Sequence, residues 1–118
     1  MNKINTRAEA NALLEEIKEA IEKSGLLFLN HRPSNAQTLA ELEITPEMQR
    51  QIIDNLCAAD YCGGPEEDRK YPWKYVALFG KEYNGIELYI KFSVGIEGTA
   101  VVCLSFHRAR SPMVYQFK

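Results

Sequence analysis

The sequence predicts an α+β fold, in which an antiparallel twisted sheet of about four to five strands has two main helices packed on one face. Two observations predict it: segments with helical apolar spacing fill the first half of the chain, and segments of strict alternation fill the second half. The clearest alternation covers residues 86–94, where one side is apolar and the other polar. We treat residues 1–118 as a single domain.

The first helix is predicted over residues 7–24. Thr6 and Glu9 have the spacing of a capping box, and Gly25 is placed to end the helix. Its apolar positions follow helical spacing and are expected to pack on the sheet. The short apolar run at 26–29 predicts an edge strand.

The segment from 30 to 72 predicts two further helices and a long connection. We expect a loop at 30–35, a short helix at 37–43, and a helix that begins at Thr45-Pro46 and continues to about residue 59. Residues 60–72 are expected to be irregular, and long loops in compact domains often carry function.

The second half predicts a three-stranded antiparallel meander. Asn84-Gly85 favours a type I′ hairpin because both central residues need positive φ. Alternation over 99–107 predicts that Val102, Leu104 and Phe106 lie in the core, opposite Val101, Cys103, Ser105 and His107. Residues 113–117 are expected to add a last strand.

Charge is distributed unevenly along the chain. Residues 1–68 carry a net charge of −7 and residues 69–118 one of +5, which together give −2. A basic sheet half in an acidic protein indicates a local site for a polyanion, and the alternative is that lysine and arginine only keep a solvated face soluble. There is no apolar run of membrane-spanning length and no signal peptide, so we expect a cytoplasmic protein without a membrane partner.

The cysteines do not predict a disulfide framework, since three is an odd number without tight spacing. Cys57, Cys62, Cys103 and His107 offer zinc-type ligands, but four residues separate Cys57 from Cys62. Buried cysteines that behave as small apolar side chains are the preferred interpretation. We expect no metal and no cofactor, and phosphate-loop, Rossmann and nucleophile-elbow motifs are missing from the sequence.

The polar face of the meander suits RNA cleavage without a metal, in which the protein supplies a base, an acid and positive charge. Lys81, Lys91 and Arg108 are assigned to the phosphate and His107 to proton transfer, because imidazole exchanges protons near neutral pH most readily. Tyr89 would orient the 2′-hydroxyl or stack on a base. The predicted site comprises the catalytic candidates Tyr89, Lys91, His107 and Lys81, the substrate-binding candidates Lys74, Arg108 and Arg110, and the neighbouring Ser105.

Lys81 poses a geometric problem for this site. A two-residue turn at Asn84-Gly85 pairs Lys81 with Leu88, on the core side. Lys81 reaches the polar face only if the loop is longer or Gly80 forms a bulge, which glycine favours.

Several pieces of the sequence resemble the MqsR-like toxins of bacterial type II toxin–antitoxin systems, within the wider RelE-type fold. They are spread over nearly the whole chain and include Leu39–Ile44, Asp60-Tyr61, Gly64-Pro65, Trp73, Phe79–Glu82, Tyr89-Ile90-Lys91 and Cys103–His107. The resemblance implies a metal-independent endoribonuclease that cuts mRNA and is inhibited by a cognate antitoxin. Tyr89 matches a family catalytic position, whereas Lys74 stands where the family has glutamine and Cys62 where it has lysine.

Structural roles are the alternative for each residue. His107 could be hydrogen-bonded structure, Tyr89 a cross-strand packing residue and Lys91 a solubilising charge. A non-catalytic module that binds RNA or protein through the same basic face is the alternative function.

Overall fold

The computed structural model describes residues 3–118, which contain three α-helices, one 3₁₀ turn and a five-stranded sheet. The elements are α1 (Arg7–Ser24), β1 (Leu26–Phe28), α2 (Pro33–Leu42), α3 (Pro46–Asp54), the 3₁₀ turn (Ala58–Asp60), β2 (Tyr61–Glu67), β3 (Tyr75–Tyr83), β4 (Ile86–Val94) and β5 (Val101–Arg108). The predicted α+β class is confirmed. None of the helices in this part of the chain has both the length and the apolar character needed to cross a membrane.

The sheet has the strand order β1-β5-β4-β3-β2, and β1 is parallel to β5 while the other pairs are antiparallel. This confirms the predicted meander. β3 and β4 pair continuously up to a hairpin whose central residues, Asn84 and Gly85, have φ of 49° and 82°. No bulge interrupts this ladder at Gly80, so Lys81 pairs with Leu88, as a two-residue turn predicts, and the condition for Lys81 to reach the polar face is not met.

The two faces of the sheet differ in burial. The inner face, which includes Leu88, Ile90 and Phe92, is fully buried against the apolar stripe of α1 together with Ile53 of α3. The outer face carries Glu87, Tyr89, Lys91 and Ser93. The predicted helices therefore cover one face and leave the other for a site.

The N-terminal helix forms as the sequence predicts. α1 spans Arg7–Ser24, Thr6 and Glu9 form both hydrogen bonds of the capping box, and Gly25 follows with a φ of 93°. The edge strand β1 is also confirmed, although it is one residue shorter than predicted.

The boundaries of the next two helices differ from the prediction. α2 begins at Pro33 rather than residue 37, because proline suits the first helical turn even though Arg32 provides no side-chain cap. α3 starts after the Thr45 cap as predicted but ends at Asp54, and a 3₁₀ turn replaces its expected last turn.

The long irregular segment predicted at 60–72 is half wrong, because Tyr61–Glu67 forms β2. Glycine and proline disfavour interior strands, but β2 is an edge strand whose pairing with β3 shifts register twice. At Gly64, where φ is 97°, an added Cβ would lie 2.5 Å from the carbonyl oxygen of Val76, so only glycine fits.

The chain after β5 does not form the predicted last strand. Residues 109–118, here called the tail, have no regular secondary structure and turn back across the outer face. The backbone amide of Met113 donates to Glu87, and that of Gln116 donates to the carbonyl of Tyr61.

A bulge in β5 changes which side chains enter the core. Lys91 pairs with Ser105 but Phe92 pairs with Cys103, so Leu104 is an extra residue. Val101, Cys103 and Phe106 are buried in consequence. The prediction was right for Phe106 and wrong for Val102, Leu104, Val101 and Cys103, because strict alternation cannot anticipate an inserted residue.

β1 is too short to pair with the second half of β5. Side chains of helix α2 bond to this part of the strand instead. The side chain of Asn35, 2% exposed, donates to the carbonyls of Leu29 and Leu104 and accepts from the amide of Phe106, at 2.9, 3.1 and 2.9 Å. Thr38 accepts from the amide of Arg108. Asn35 and Thr38 thus supply the acceptors for the amides of Phe106 and Arg108, and Asn35 adds a donor to the carbonyl of Leu104.

We predict that Asn35→Ala lowers the free energy of unfolding by about 2 to 4 kcal/mol, since the amide of Phe106 loses its acceptor and the carbonyls of Leu29 and Leu104 each lose a donor. Urea unfolding followed by circular dichroism measures this. Gln37→Ala, an exposed amide on the same helix, should change stability by less than about 0.5 kcal/mol. A loss for Asn35→Ala as small as that of the control would contradict its role in the β5 edge.

Candidate functional site

Tyr89 and His107 form the centre of the outer face. They are directly paired across β4 and β5, and their rings stack with centroids 5.0 Å apart and planes inclined by 9°. The two predicted residues are therefore neighbours, with their rings stacked across the two strands.

The hydrogen bond of the His107 ring defines its tautomer. Nδ1 lies 2.9 Å from the carbonyl oxygen of Arg108, and a carbonyl can only accept, so Nδ1 carries the hydrogen. In the neutral ring this leaves the lone pair on Nε2. An imidazole held in this way has one nitrogen anchored and the other available as a base.

A groove of about 700 Å³ runs over this pair. Its floor comes from the outer face and includes Leu78, Tyr89, Lys91, Ser105 and His107. One wall is the start of α2 and the opposite wall is the tail. The remaining lining residues are Arg32, Pro33, Ser34, Asn35, Cys62, Leu104, Arg110, Ser111, Pro112, Met113 and Val114.

The charged side chains of the groove are of one sign. Arg32, Lys91 and Arg110 line it together with His107, and within residues 3–118 no aspartate or glutamate does so. Arg110 donates to the hydroxyl of Ser34 at 2.9 Å, which links the tail to α2. A lining that carries cations and no carboxylate favours an anionic ligand such as a phosphate.

The tail is held in place by contacts beside the groove. The ring of Tyr115 lies over Gly80, where an added Cβ would come within 2.7 Å of the phenol oxygen. Burial and a hydrogen bond with Glu87 raise the pKa of Tyr115 above its ordinary value. Gly80 therefore makes room for Tyr115 and forms no bulge.

Three of the predicted site residues lie elsewhere. Lys81 projects from the inner-face register and forms an ion pair with Asp60 at 3.2 Å. Arg108 turns towards α2 and pairs with Glu41 at 3.6 Å. Lys74 lies near the far end of the sheet, with its ammonium 5.0 Å from the ring centre of Tyr71. The structure thus brings Tyr89, Lys91, Ser105, His107 and Arg110 together and leaves these three out.

Arg32 and the first turn of α2 were missed as part of the site. The sequence places Arg32 in a loop 73 positions before Ser105 in the chain. The side chain of Arg32 reaches the carbonyl of Leu104, the extra residue of the bulge. This contact depends on the bulge in β5. The alternation of apolar and polar residues does not predict a bulge, so it could not indicate the contact.

The cysteines occupy three different environments: Cys57 is exposed, Cys62 lines the groove and Cys103 is buried in the core. Among residues 3–118, no three histidine, cysteine, aspartate or glutamate side chains are grouped so that they could hold a metal ion. The expectation of buried cysteines is therefore right for Cys103 and wrong for Cys57.

The fold and the groove define a small α+β protein with a basic, partly apolar cleft on the free face of its sheet. Comparison with protein-family models, with curated protein sequences and with solved structures gives no significant match. The resemblance to MqsR-like toxins thus stays a prediction from the sequence.

We predict that iodoacetamide modifies Cys57 first in the native protein. Burial, with the charge of Glu87, raises the pKa of Cys62 to about 11, and burial raises that of Cys103 to about 12. At pH 8 the reactive thiolate of Cys62 is scarce, so its labelling should be at least about tenfold slower than that of Cys57. Mass spectrometry of peptides checks this, and denatured protein should react at all three positions.

The same experiment has a pH dependence. Because deprotonation limits the reaction, the labelling rate of Cys62 should rise about tenfold for each pH unit below pH 11. A rate that reaches a plateau below pH 9 would contradict the protected thiol.

Gly80→Ala is predicted to destabilise the protein by about 1 to 3 kcal/mol, because the new methyl group collides with Tyr115. In a Tyr115→Ala background the same substitution should have little effect. Urea unfolding of the four proteins measures this coupling. Independent effects of the two substitutions would show that the tail does not pack on Gly80.

Proposed function

We propose that this protein is a metal-independent endoribonuclease that cleaves single-stranded mRNA in the outer-face groove. The observation that carries the proposal is the stacked Tyr89–His107 pair in the floor of a groove lined by Arg32, Lys91 and Arg110. Proton transfer and phosphate binding are the two requirements of the reaction, and here they meet in one cavity.

The proposed reaction is attack of the ribose 2′-oxygen on the adjacent phosphorus. Nε2 of His107 takes the proton of the 2′-hydroxyl as the new bond from the 2′-oxygen to phosphorus forms. The bond from phosphorus to the 5′-oxygen breaks, and the ammonium of Lys91 supplies the proton that the leaving oxygen needs. The products are a 2′,3′-cyclic phosphate and a 5′-hydroxyl, and proton exchange with water restores both residues.

The remaining groups act by position and charge. The Tyr89 hydroxyl orients the 2′-hydroxyl, while Arg32 and Arg110 stabilise the negative charge that builds up on the phosphorane. Removing such a fixed electrostatic contact from an active site typically costs about a hundred- to a thousandfold in rate. Cys62, at the position of a family lysine, is uncharged at neutral pH because its pKa is raised to about 11. The arginines therefore replace the positive charge that it lacks.

A toxin function follows from the proposed activity. An unrestrained mRNA nuclease stops the growth of the cell that makes it, so we include a cognate antitoxin and a cytoplasmic location in the proposal. Expression of the protein should arrest growth, and His107→Ala should relieve the arrest. The antitoxin would be recognised as the product of an adjacent gene that restores growth.

The direct test is incubation of purified protein with a 5′-labelled single-stranded RNA in EDTA. We expect fragments that end in 2′,3′-cyclic phosphate. If the RNA stays intact but forms a salt-sensitive complex with the protein, the non-catalytic RNA-binding function takes the place of the proposed nuclease. Intact RNA without a complex would overturn the proposal.

Substitutions then test the residue roles. His107→Ala and Tyr89→Phe should each lower the cleavage rate by about a hundredfold or more, and Lys91→Gln by at least about tenfold. The matched controls change the same residue types outside the groove, namely His31→Ala, Tyr83→Phe and Lys23→Gln. Wild-type rates in the first group, with the fold intact by circular dichroism, would remove these roles.

A further inference from the structure

The loop between β2 and β3 carries aromatic rings that neither the core nor the groove uses. Trp73 is 62% exposed, and its ring centre lies 5.3 Å from that of the half-buried Tyr71. Exposed tryptophan is unusual because its large apolar surface favours burial. An indole held against a second ring and open on its other side is suited to stack on a planar ligand.

Positive side chains surround these rings. The ammonium groups of Lys70 and Lys74 lie 5.4 and 5.0 Å from the ring centre of Tyr71. Arg69 is exposed in the same loop. Aromatic rings combined with cations are the recurring elements of surfaces that bind single-stranded nucleic acid, where bases stack and phosphates are neutralised.

The loop has a defined conformation rather than only a suitable composition. Asp68 accepts hydrogen bonds from the amides of Lys70 and Tyr71, and its amide donates to the carbonyl of Lys74. Its carboxylate also accepts from the hydroxyl of Ser93 at 3.0 Å, and these hydrogen bonds lower the pKa of Asp68. The aromatic rings are therefore presented by a closed loop, which lowers the entropic cost of binding.

Ser93 connects this loop to the groove. It lies on the outer face of β4, two residues beyond Lys91 and four beyond Tyr89, which is about 13 Å along a strand. A shallow depression of about 150 Å³ shares Leu78, Tyr89 and Lys91 with the groove and extends along β2. One carboxylate, Glu66, also lines this depression. A strand of RNA can thus run from the groove towards the loop.

We propose that Trp73 and Tyr71, with Lys70 and Lys74, form a base-stacking subsite for a nucleotide that flanks the cleaved bond. The proposal rests on the RNA-cleaving function and adds to it where the substrate extends. Lys74, which lies outside the groove, acquires a role in this subsite. Because stacking reads no hydrogen-bonding edge, the subsite increases affinity for longer single strands with little preference for sequence.

Trp73 is the only tryptophan in the sequence, so its fluorescence reports on the subsite directly. The probe is an uncleavable oligonucleotide in which every 2′-hydroxyl is replaced by hydrogen, carrying a terminal dye for anisotropy. We expect it to bind and to quench the indole emission. Binding without quenching would overturn the subsite while leaving the groove intact.

Substitutions provide the second readout. Trp73→Ala should raise KM for a long RNA by about tenfold or more and leave kcat unchanged, whereas Trp73→Phe should retain most of the affinity. Cleavage of a dinucleotide, which contains only the bond to be cut, should not respond to either substitution. Leu27→Ala, which truncates an exposed apolar side chain away from the loop, is the matched control.

The outcomes separate the two proposals. Wild-type KM in Trp73→Ala, with the nuclease active, overturns only the subsite. Equal loss in Trp73→Ala and Leu27→Ala would also overturn it, as a general packing effect. Absence of both binding and cleavage in the wild type overturns the RNA function, and the subsite with it.

Discussion

The extra residue in β5 is the feature on which the arrangement of the site depends. Side chains alternate with a period of two, so one inserted residue exchanges the inward and outward sets beyond it. With Leu104 inserted, both Cys103 and Phe106 enter the core and His107 faces outward beside Tyr89. Without the insertion, Val101 and Cys103, which precede Leu104, could not be inward at the same time as Phe106.

The irregularity is stable because α2 supplies the hydrogen bonds that the sheet does not. Asn35 bonds both the carbonyl of Leu104 and the amide of Phe106, while Arg32 adds a bond to the same carbonyl at 3.3 Å. Leaving these buried groups unpaired would cost a large fraction of the 5 to 15 kcal/mol that typically stabilises a domain. The same contacts bring Arg32 to the groove, so that folding and the positive potential of the site have one origin.

Electrostatics then distinguishes cations that look equivalent in the sequence. Lys81 and Arg108 are neutralised by Asp60 and Glu41, and such partly exposed pairs contribute at most about 1 kcal/mol to stability. Within residues 3–118, Arg32, Lys91 and Arg110 have no carboxylate partner within salt-bridge distance. Their charges are available to a ligand, whereas those of Lys81 and Arg108 are largely compensated inside the protein.

The sequence was most informative where one local rule determines the structure. The capping box of α1, the Asn84-Gly85 hairpin and the alternation of β4 each depend on neighbouring residues, and they placed Tyr89 and Lys91 correctly on the outer face. The prediction failed where distant segments meet. Arg110, in the opposite wall of the groove, was predicted as a site residue from its charge alone. No local pattern in the sequence relates Arg32 to Leu104.

The strand β2 and the tail were mispredicted for the same reason, because their structure depends on contacts with distant segments. β2 was not predicted because its sequence contains glycine and proline. These residues destabilise a central strand but are tolerated in an edge strand. The tail was predicted as a strand because its apolar residues were assigned to pairing. Instead, Phe117 stacks on Tyr61 with ring centres 5.7 Å apart, and Tyr115 packs on Gly80.

The parallel pairing of β1 with β5 has a consequence for how the chain folds during its synthesis. Leu26 is aligned with Val101, so the sheet closes between positions 75 apart in the chain. Contacts of such long range slow folding, because the loop entropy is lost before the pairing compensates for it. A nascent chain emerging from the ribosome can build its first helix early, but it lacks a complete cleft until β5 and the tail have been synthesised. The cleft can therefore assemble only after both of these segments have left the ribosome.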